Sequence, residues 1–251
     1  MRVSPKQGSE WRDWLLTTSI PLVHVGNTDQ VLGVGSGTMI DHEGRRFLVT
    51  AGHVAKLDSK GWAIVVQQHP DGRLEYYKPH AFVHAGEFSR ADASLRTLDL
   101  CVAQVAPKLE TWYEHRTPRG LFDRRPHHVF DAGALALPKH DQLFGFSGRV
   151  RTEKHGPQTF VSETTVFLGL TYARSDAEEH HFALPVPHPG HEAIRGTSGS
   201  PMCDFSRRLV AIVVGGSTDT STVRGVAIQR VLPALHFLSA HIPVHVAIGE
   251  A

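Results

Sequence analysis

One serine, one histidine and one aspartate stand where they could do chemistry together. Ser198 lies in Arg195-Gly-Thr-Ser-Gly-Ser-Pro201, and the apolar run Leu209-Val-Ala-Ile-Val-Val-Gly-Gly216 follows closely. The glycine before the serine lets the backbone turn so that successive N–H groups converge on one point, and the glycine after it keeps the space beside the hydroxyl open. His53 ends the apolar run Arg46-Phe-Leu-Val-Thr-Ala-Gly-His53, where its ring can emerge at a surface. Asp99 sits inside Leu98-Asp-Leu-Cys-Val-Ala-Gln-Val105, where a carboxylate is costly to bury unless it accepts hydrogen bonds. Nucleophilic acyl transfer needs this set: a hydroxyl, a base that takes its proton, and a carboxylate that holds the base in one tautomer and stabilises its protonated form.

Chain order narrows the reading. The α/β-hydrolases run serine, acid, histidine and need Gly-x-Ser-x-Gly, whereas here the order is His53, Asp99, Ser198 and the fifth motif position is Ser200. Taken singly, His53 is compatible with an interior histidine, Asp99 with a carboxylate bonded to backbone and Ser198 with an ordinary turn residue. Type, order and context agree for all three, which favours a joint role. Asp92 is a reserve acid, but Ala91-Asp-Ala-Ser94 is polar and lacks a strand setting.

The elements that must position these residues are mostly short strands. Ser9 is the expected cap of a short helix from Trp11 to Leu16, followed by a strand at Ile20-Pro-Leu-Val-His-Val25. Val31 to Ile40 and Arg46 to Thr50 flank Asp41-His-Glu-Gly44, a hairpin signal. Trp62 to Gln67 and Arg73 to Tyr77 make a second hairpin through His69-Pro-Asp-Gly72, with further strands at Ala81 to His84 and Leu98 to Val105. Strand signals resume at Gln142 to Phe146, Thr159 to Val161, Thr165 to Tyr172, His181 to Leu184, Pro201 to Asp204 and Leu209 to Val214, and Val226 closes the sheet. Ile228, Val231, Leu232, Leu235 and Leu238 share one face of a C-terminal helix that contains Pro233. Many short strands with glycine-rich turns specify an all-β fold.

Composition sets the outer bounds. With 251 residues, 41% hydrophobic and 20% charged, the chain can bury a full core. Its net charge of +1 gives no pull toward nucleic acid or anionic membrane. No apolar run spans a bilayer and the first residues lack a secretory core, so a cytoplasmic location is expected. Cys101 and Cys203 lie in apolar segments and read as buried thiols, not as a disulfide framework. Eighteen histidines invite a metal hypothesis through His236/His241/His245 or His180/His181/His188/His191. Neither group carries a specific ligand pattern, and solvated or hydrogen-bonded imidazoles are expected, with no metal or other cofactor.

Thr50-Ala-Gly-His53, Asp99-Leu100 and Gly196-Thr-Ser-Gly-Ser-Pro201 together resemble the motifs of the trypsin-like, or chymotrypsin-fold, serine proteases, over about residues 18 to 238. The resemblance implies two six-stranded antiparallel β-barrels with the active site between them. It implies an N-terminal extension at 1–17, a first barrel at 18–110 with His53 and Asp99, a connection at 111–140 bearing Pro118, Pro126 and Pro138, and a second barrel with the C-terminal helix at 141–251. It also implies an oxyanion hole from the N–H groups of Gly196 and Ser198, and pairing of Val214, Gly215 and Gly216 with substrate backbone beside an unobstructed specificity pocket.

The departures matter too. Thr197 stands where the digestive enzymes carry an aspartate that pairs with a new N-terminus, and no Ile-Val-Gly-Gly start is present, so the pattern is closer to the intracellular and bacterial branches. Glu192 at the pocket base would favour Arg or Lys before the scissile bond, His188 or His191 would instead favour an acidic residue, and Arg195 could neutralise Glu192. The expected function is a serine endopeptidase acting on proteins or peptides through an acyl-enzyme. A protease-fold binding module gated by a regulatory protein, and an esterase using the same triad, are the alternatives.

Overall fold

A computed structural model of the chain describes residues 4–28, 30–55, 61–69, 73–89, 93–116, 122–154, 160–176 and 178–241. The reserve acid Asp92, the turn residues Pro70 to Gly72, the strand residue Thr159 and His245 lie outside them. Helix α1 (Pro5–Leu15) starts earlier than expected, and its cap is Ser4, not Ser9. Ser4 accepts from the Gln7 N–H while the Gln7 side chain returns to the Ser4 N–H, and Pro5 supplies a helical φ at the first position, where no donor is needed. The helix buries Trp11 and Leu15.

Ten strands precede the second half of the chain. They are β1 (Ile20–Val25), β2 (Val31–His42), β3 (Arg45–Ala51), β4 (Trp62–Gln68), β5 (Leu74–Tyr77), β6 (Val83–Ser89), β7 (Ser94–Val105), β8 (Trp112–Arg116), β9 (Phe122–Pro126) and β10 (Val129–Asp131). The hairpin β2–β3 turns through Glu43 and Gly44 at φ of 50° and 73°, both in the left-handed region a two-residue turn with strand-matching twist requires. The order β5-β4-β1-β2-β3-β7-β6 forms one sheet, and β10 adds to β2 in parallel. Residues 18–110 therefore supply seven strands to this sheet where six were expected, and the stretch after 110 adds an eighth as β10. The same stretch folds its Trp112–Arg116 and Phe122–Pro126 segments into a separate two-stranded sheet.

The second half is a closed six-stranded antiparallel barrel in the order β11-β12-β13-β16-β15-β14. Its strands are β11 (Leu143–Lys154), β12 (Phe160–Ser175), β13 (Glu179–Ala183), β14 (Pro201–Asp204), β15 (Leu209–Ser217) and β16 (Thr222–Ala227), with the short helix α2 (His191–Ile194) before β14. Sequence signals suggested two strands between Thr159 and Tyr172. One long β12 runs through both, paired along its length with β11. The closing helix α3 (Leu232–His241) begins after a 3₁₀ turn at Ile228–Arg230, so Pro233 falls in its first turn, where a missing N–H costs nothing. Trp11, Ile40, Phe47, Leu100, Ile212, Val226, Leu235 and Leu238 belong to one buried apolar cluster that joins the two halves, α1 and α3. Among the described residues no helix is long and apolar enough to cross a membrane.

Candidate active site

Strand β3 pairs with β7, with Ala51 opposite Leu100 and Thr50 opposite Cys101, which brings the end of β3 beside Asp99. Beyond Ala51 the chain turns, with Val54 N–H donating to the Ala51 carbonyl at 3.0 Å, and His53 leaves the sheet. Asp99 then meets His53 twice. Its Oδ1 accepts the His53 backbone N–H at 2.8 Å, and its Oδ2 lies 2.8 Å from His53 Nδ1. A proton on Nδ1 satisfies that contact and leaves Nε2 with a free lone pair, the tautomer a general base needs. The two side chains are 45% and 38% exposed, so the pair is open to a substrate. Burial pushes the Asp99 carboxyl up, but the hydrogen bonds from His53, its charge and that of Arg224 outweigh burial and hold it below the usual carboxylate value.

The buried Cys101 sits behind this pair, its Sγ 3.5 Å from the Ala55 carbonyl. Burial, with the Asp99 charge adding to it, pushes this thiol up to about 12. A thiol so shifted stays protonated and unreactive. Cys101 and Cys203 are both free and buried.

Ser198 is held by its neighbours' backbone. Arg195 at φ −59°, ψ 128° and Gly196 at φ 95° are the centre of a type II turn, closed by the Thr197 N–H on the Ile194 carbonyl at 3.1 Å. Thr197 Oγ1 donates to the same carbonyl at 2.8 Å. Thr197 thus braces its own turn. Gly199 also has φ 95°, and a Cβ there would stand 1.9 Å from the Ser36 carbonyl oxygen and 2.4 Å from Thr50 Oγ1. Only glycine lets the turn lie this close to β2 and to the end of β3.

Strand β2 fixes that turn from the other side. Ser36 Oγ donates to the Gly196 carbonyl at 2.8 Å, Ser36 N–H to the Ser198 carbonyl at 3.1 Å, and Thr38 Oγ1 to the Gly199 carbonyl at 3.0 Å. Thr50 Oγ1 in turn donates to the Ser36 carbonyl at 2.7 Å. Among the described residues, no hydrogen bond occupies the N–H of Gly196 or of Ser198. Sequence reasoning passed over Ser36 and Thr38. Their signal is Gly35-Ser-Gly-Thr38, hydroxyl residues alternating with glycine, which puts both hydroxyls on one face of a strand.

The remaining expected residues lie around this turn in different ways. Val214, Gly215 and Gly216 follow on β15 from Val213, whose carbonyl accepts the Gly199 N–H at 2.7 Å. Val214 is buried, and Gly215 pairs with Arg224 of β16. Arg224 was not singled out by sequence; it forms an ion pair with Glu179 at 2.9 Å, and its Nη2 lies 3.1 Å from where a Cβ on Gly215 would stand. Over Gly216 the space is taken, since His188 Nε2 and Ile194 Cδ1 would stand 2.8 and 3.2 Å from a Cβ there. Glu192 stands in solvent, 86% exposed, paired with Arg195 at 3.5 Å. A pair so placed is screened and worth little, and no low-dielectric slot surrounds it.

The histidine groupings also resolve into separate partners. His180 Nδ1 lies 2.6 Å from Ser175 Oγ, His181 Nε2 2.7 Å from Asp176 Oδ2, and His188 Nδ1 accepts the Gly190 N–H at 3.0 Å. His241 Nδ1 lies 2.9 Å from the Phe237 carbonyl, one turn back on α3, while His236 faces Glu43.

No family model and no curated protein matches the sequence. Among solved structures the chain is similar to a serine endoprotease from Yersinia pestis, with a TM-score of 0.55 and 11% identity over 96% of this chain and 68% of that one. The Rv3671c protease from M. tuberculosis in its active form matches with a TM-score of 0.48 and 15% identity, covering 94% of this chain and 87% of that one.

Proposed function

We propose that this chain, which has the fold of the chymotrypsin-like serine proteases, is a serine endopeptidase. The observation that carries the reading is the double hydrogen bond from His53 to Asp99, at the end of a strand against which the Ser198 turn is packed. In this reading Ser198 Oγ attacks the carbonyl carbon of a peptide bond and passes its proton to His53 Nε2. Asp99 keeps the ring oriented and stabilises the imidazolium without taking the proton. The oxyanion accepts hydrogen bonds from the N–H groups of Gly196 and Ser198, each worth about 3 kcal/mol in the transition state. His53 then protonates the leaving amine, and water, deprotonated by the same ring, hydrolyses the acyl-enzyme.

The free N–H groups at Gly196 and Ser198, the first of them in the central peptide of the type II turn, support a hole formed without a buried N-terminus. A second reading, a site gated by a partner, draws on His188 and Ile194 crowding the face of Gly216. Turnover of a diverse peptide library beside simple esters tests the proposal. Cleavage within peptides that vanishes in Ser198→Ala is expected. Ester turnover alone would make the chain an esterase, and peptide cleavage that survives in Ser198→Ala would end the assignment.

A further inference from the structure

At the far end of β3 from His53, three potential ligand atoms converge: His42 Nε2, a Glu43 carboxylate oxygen and His236 Nδ1, all within 4.8 Å of one another. His42 closes β2, Glu43 is the first residue of the β2–β3 turn, and His236 comes from α3. Glu43 Oε1 lies 3.0 Å from His236 Nδ1 and 3.7 Å from His42 Nε2. Ligands about 2.1 Å from a tetrahedral zinc ion are roughly 3.4 Å apart, so the two Glu43 spacings need changes of only a few tenths of an ångström.

His42 Nε2 supplies an independent reason. It is buried and has no hydrogen-bond partner, a state that costs about 1–3 kcal/mol for a polar atom. Glu43 Oε1, at 3.7 Å, is too far to satisfy it by a hydrogen bond, and a cation held between the three ligands would do so. The other convergence, Asp176 with Glu179 and His181, has no such unmet atom: Asp176 accepts the N–H groups of Glu178 and Glu179 and meets His181, and Glu179 pairs with Arg224.

We propose that His42, Glu43 and His236 bind one divalent transition-metal ion of the zinc type, which clips α3 to the β2–β3 hairpin. Two imidazoles and one carboxylate suit zinc or cobalt and disfavour calcium and magnesium, which take oxygen ligands. The fourth position is open to water, because Glu43 and His236 are 48% and 69% exposed. The strand between this site and His53 spans seven residues, on the order of 20 Å, so the ion takes no part in the chemistry at Ser198.

The test is titration of the metal-free full chain with Co²⁺ and with Zn²⁺. Co²⁺ in this ligand set gives intense visible absorption, and Zn²⁺ at equal concentration bleaches it. The proposal expects one ion per chain, a rise in Tm with Zn²⁺, and loss of both in His42→Ala and in His236→Gln. His241→Ala, one turn further along α3, should keep them. His236 is exposed, so His236→Gln should fold even where His42→Ala does not, and circular dichroism of the metal-free proteins checks this. No one-to-one binding by the wild type, or unchanged binding by His236→Gln, would overturn the site.

Discussion

Both oxygens of Asp99 are committed to His53, one to its backbone and one to its ring, and this sets what each substitution at the position should do. Asp99→Asn keeps the size and can still accept from the backbone, but its amide donates to Nδ1 and selects the wrong ring tautomer. In the Ser-His-Asp template that change lowers kcat about 10⁴-fold, and the same loss with an unchanged fold is expected here in single-turnover assays. The carboxyl is held below its usual value in the folded state, so its contribution to stability is present above about pH 4 and is lost as pH falls through the folded value. Asp99→Asn should therefore blunt acid unfolding below pH 4, read by denaturant titration. The contact of His53 with Asp99 was legible because an aspartate inside an apolar strand demands a hydrogen-bonding partner. Ser36 and Thr38 were not, because a hydroxyl on a strand has many uses and only the folded turn shows which carbonyls it meets.

At the scale of elements, β2 braces the Ser198 turn through the hydroxyls of Ser36 and Thr38. Its hydroxyls hold the carbonyls of Gly196 and Gly199, which fixes the backbone on either side of Ser198. Ser36→Ala removes one such bond, worth about 1 kcal/mol, and should lower kcat several-fold with little change in KM. A change confined to KM would show that Ser36 positions substrate and not the oxyanion donors. Strand signals were read well where apolar residues alternate between clear turns, as in Ile20–Val25. The cap of α1 was missed because Gly8 and Ser9 looked like a boundary, whereas Ser4, Pro5 and Gln7 form a stronger one. The strands after 110 were hidden by their prolines and charges: Pro126 ends β9, and β10 is only three residues long.

At the scale of the whole molecule, the core runs through both halves, so loosening either half should loosen the cleft. His127, at the junction of β9 and β10, is buried with Nδ1 3.1 Å from Thr111 Oγ1. Burial, aided by the Arg149 charge and opposed by a hydrogen bond to Thr111, pushes its pKa down to about 3. The unfolded chain takes a proton there near pH 6.5 and the folded one does not, so stability is full above about 6.5 and falls with acid at about 1.4 kcal/mol per pH unit. Between pH 7.5 and 5 the loss should shrink by about 2 kcal/mol in His127→Gln, measured by denaturant titration. The closed six-stranded barrel of β11–β16 was legible as a run of strand signals after residue 140. The parallel return of β10 was not, since pairing across such a distance in sequence leaves no local pattern.

The central claim is that Ser198 is a nucleophile activated by His53. Labelling by a fluorophosphonate, followed by mass spectrometry of the intact chain and of its peptides, tests it most directly. One adduct per chain on Ser198 is predicted, absent in Ser198→Ala and strongly slowed in Asp99→Asn. Undiminished labelling of Ser198→Ala, or no adduct on the wild type at any pH from 5 to 9, would contradict it.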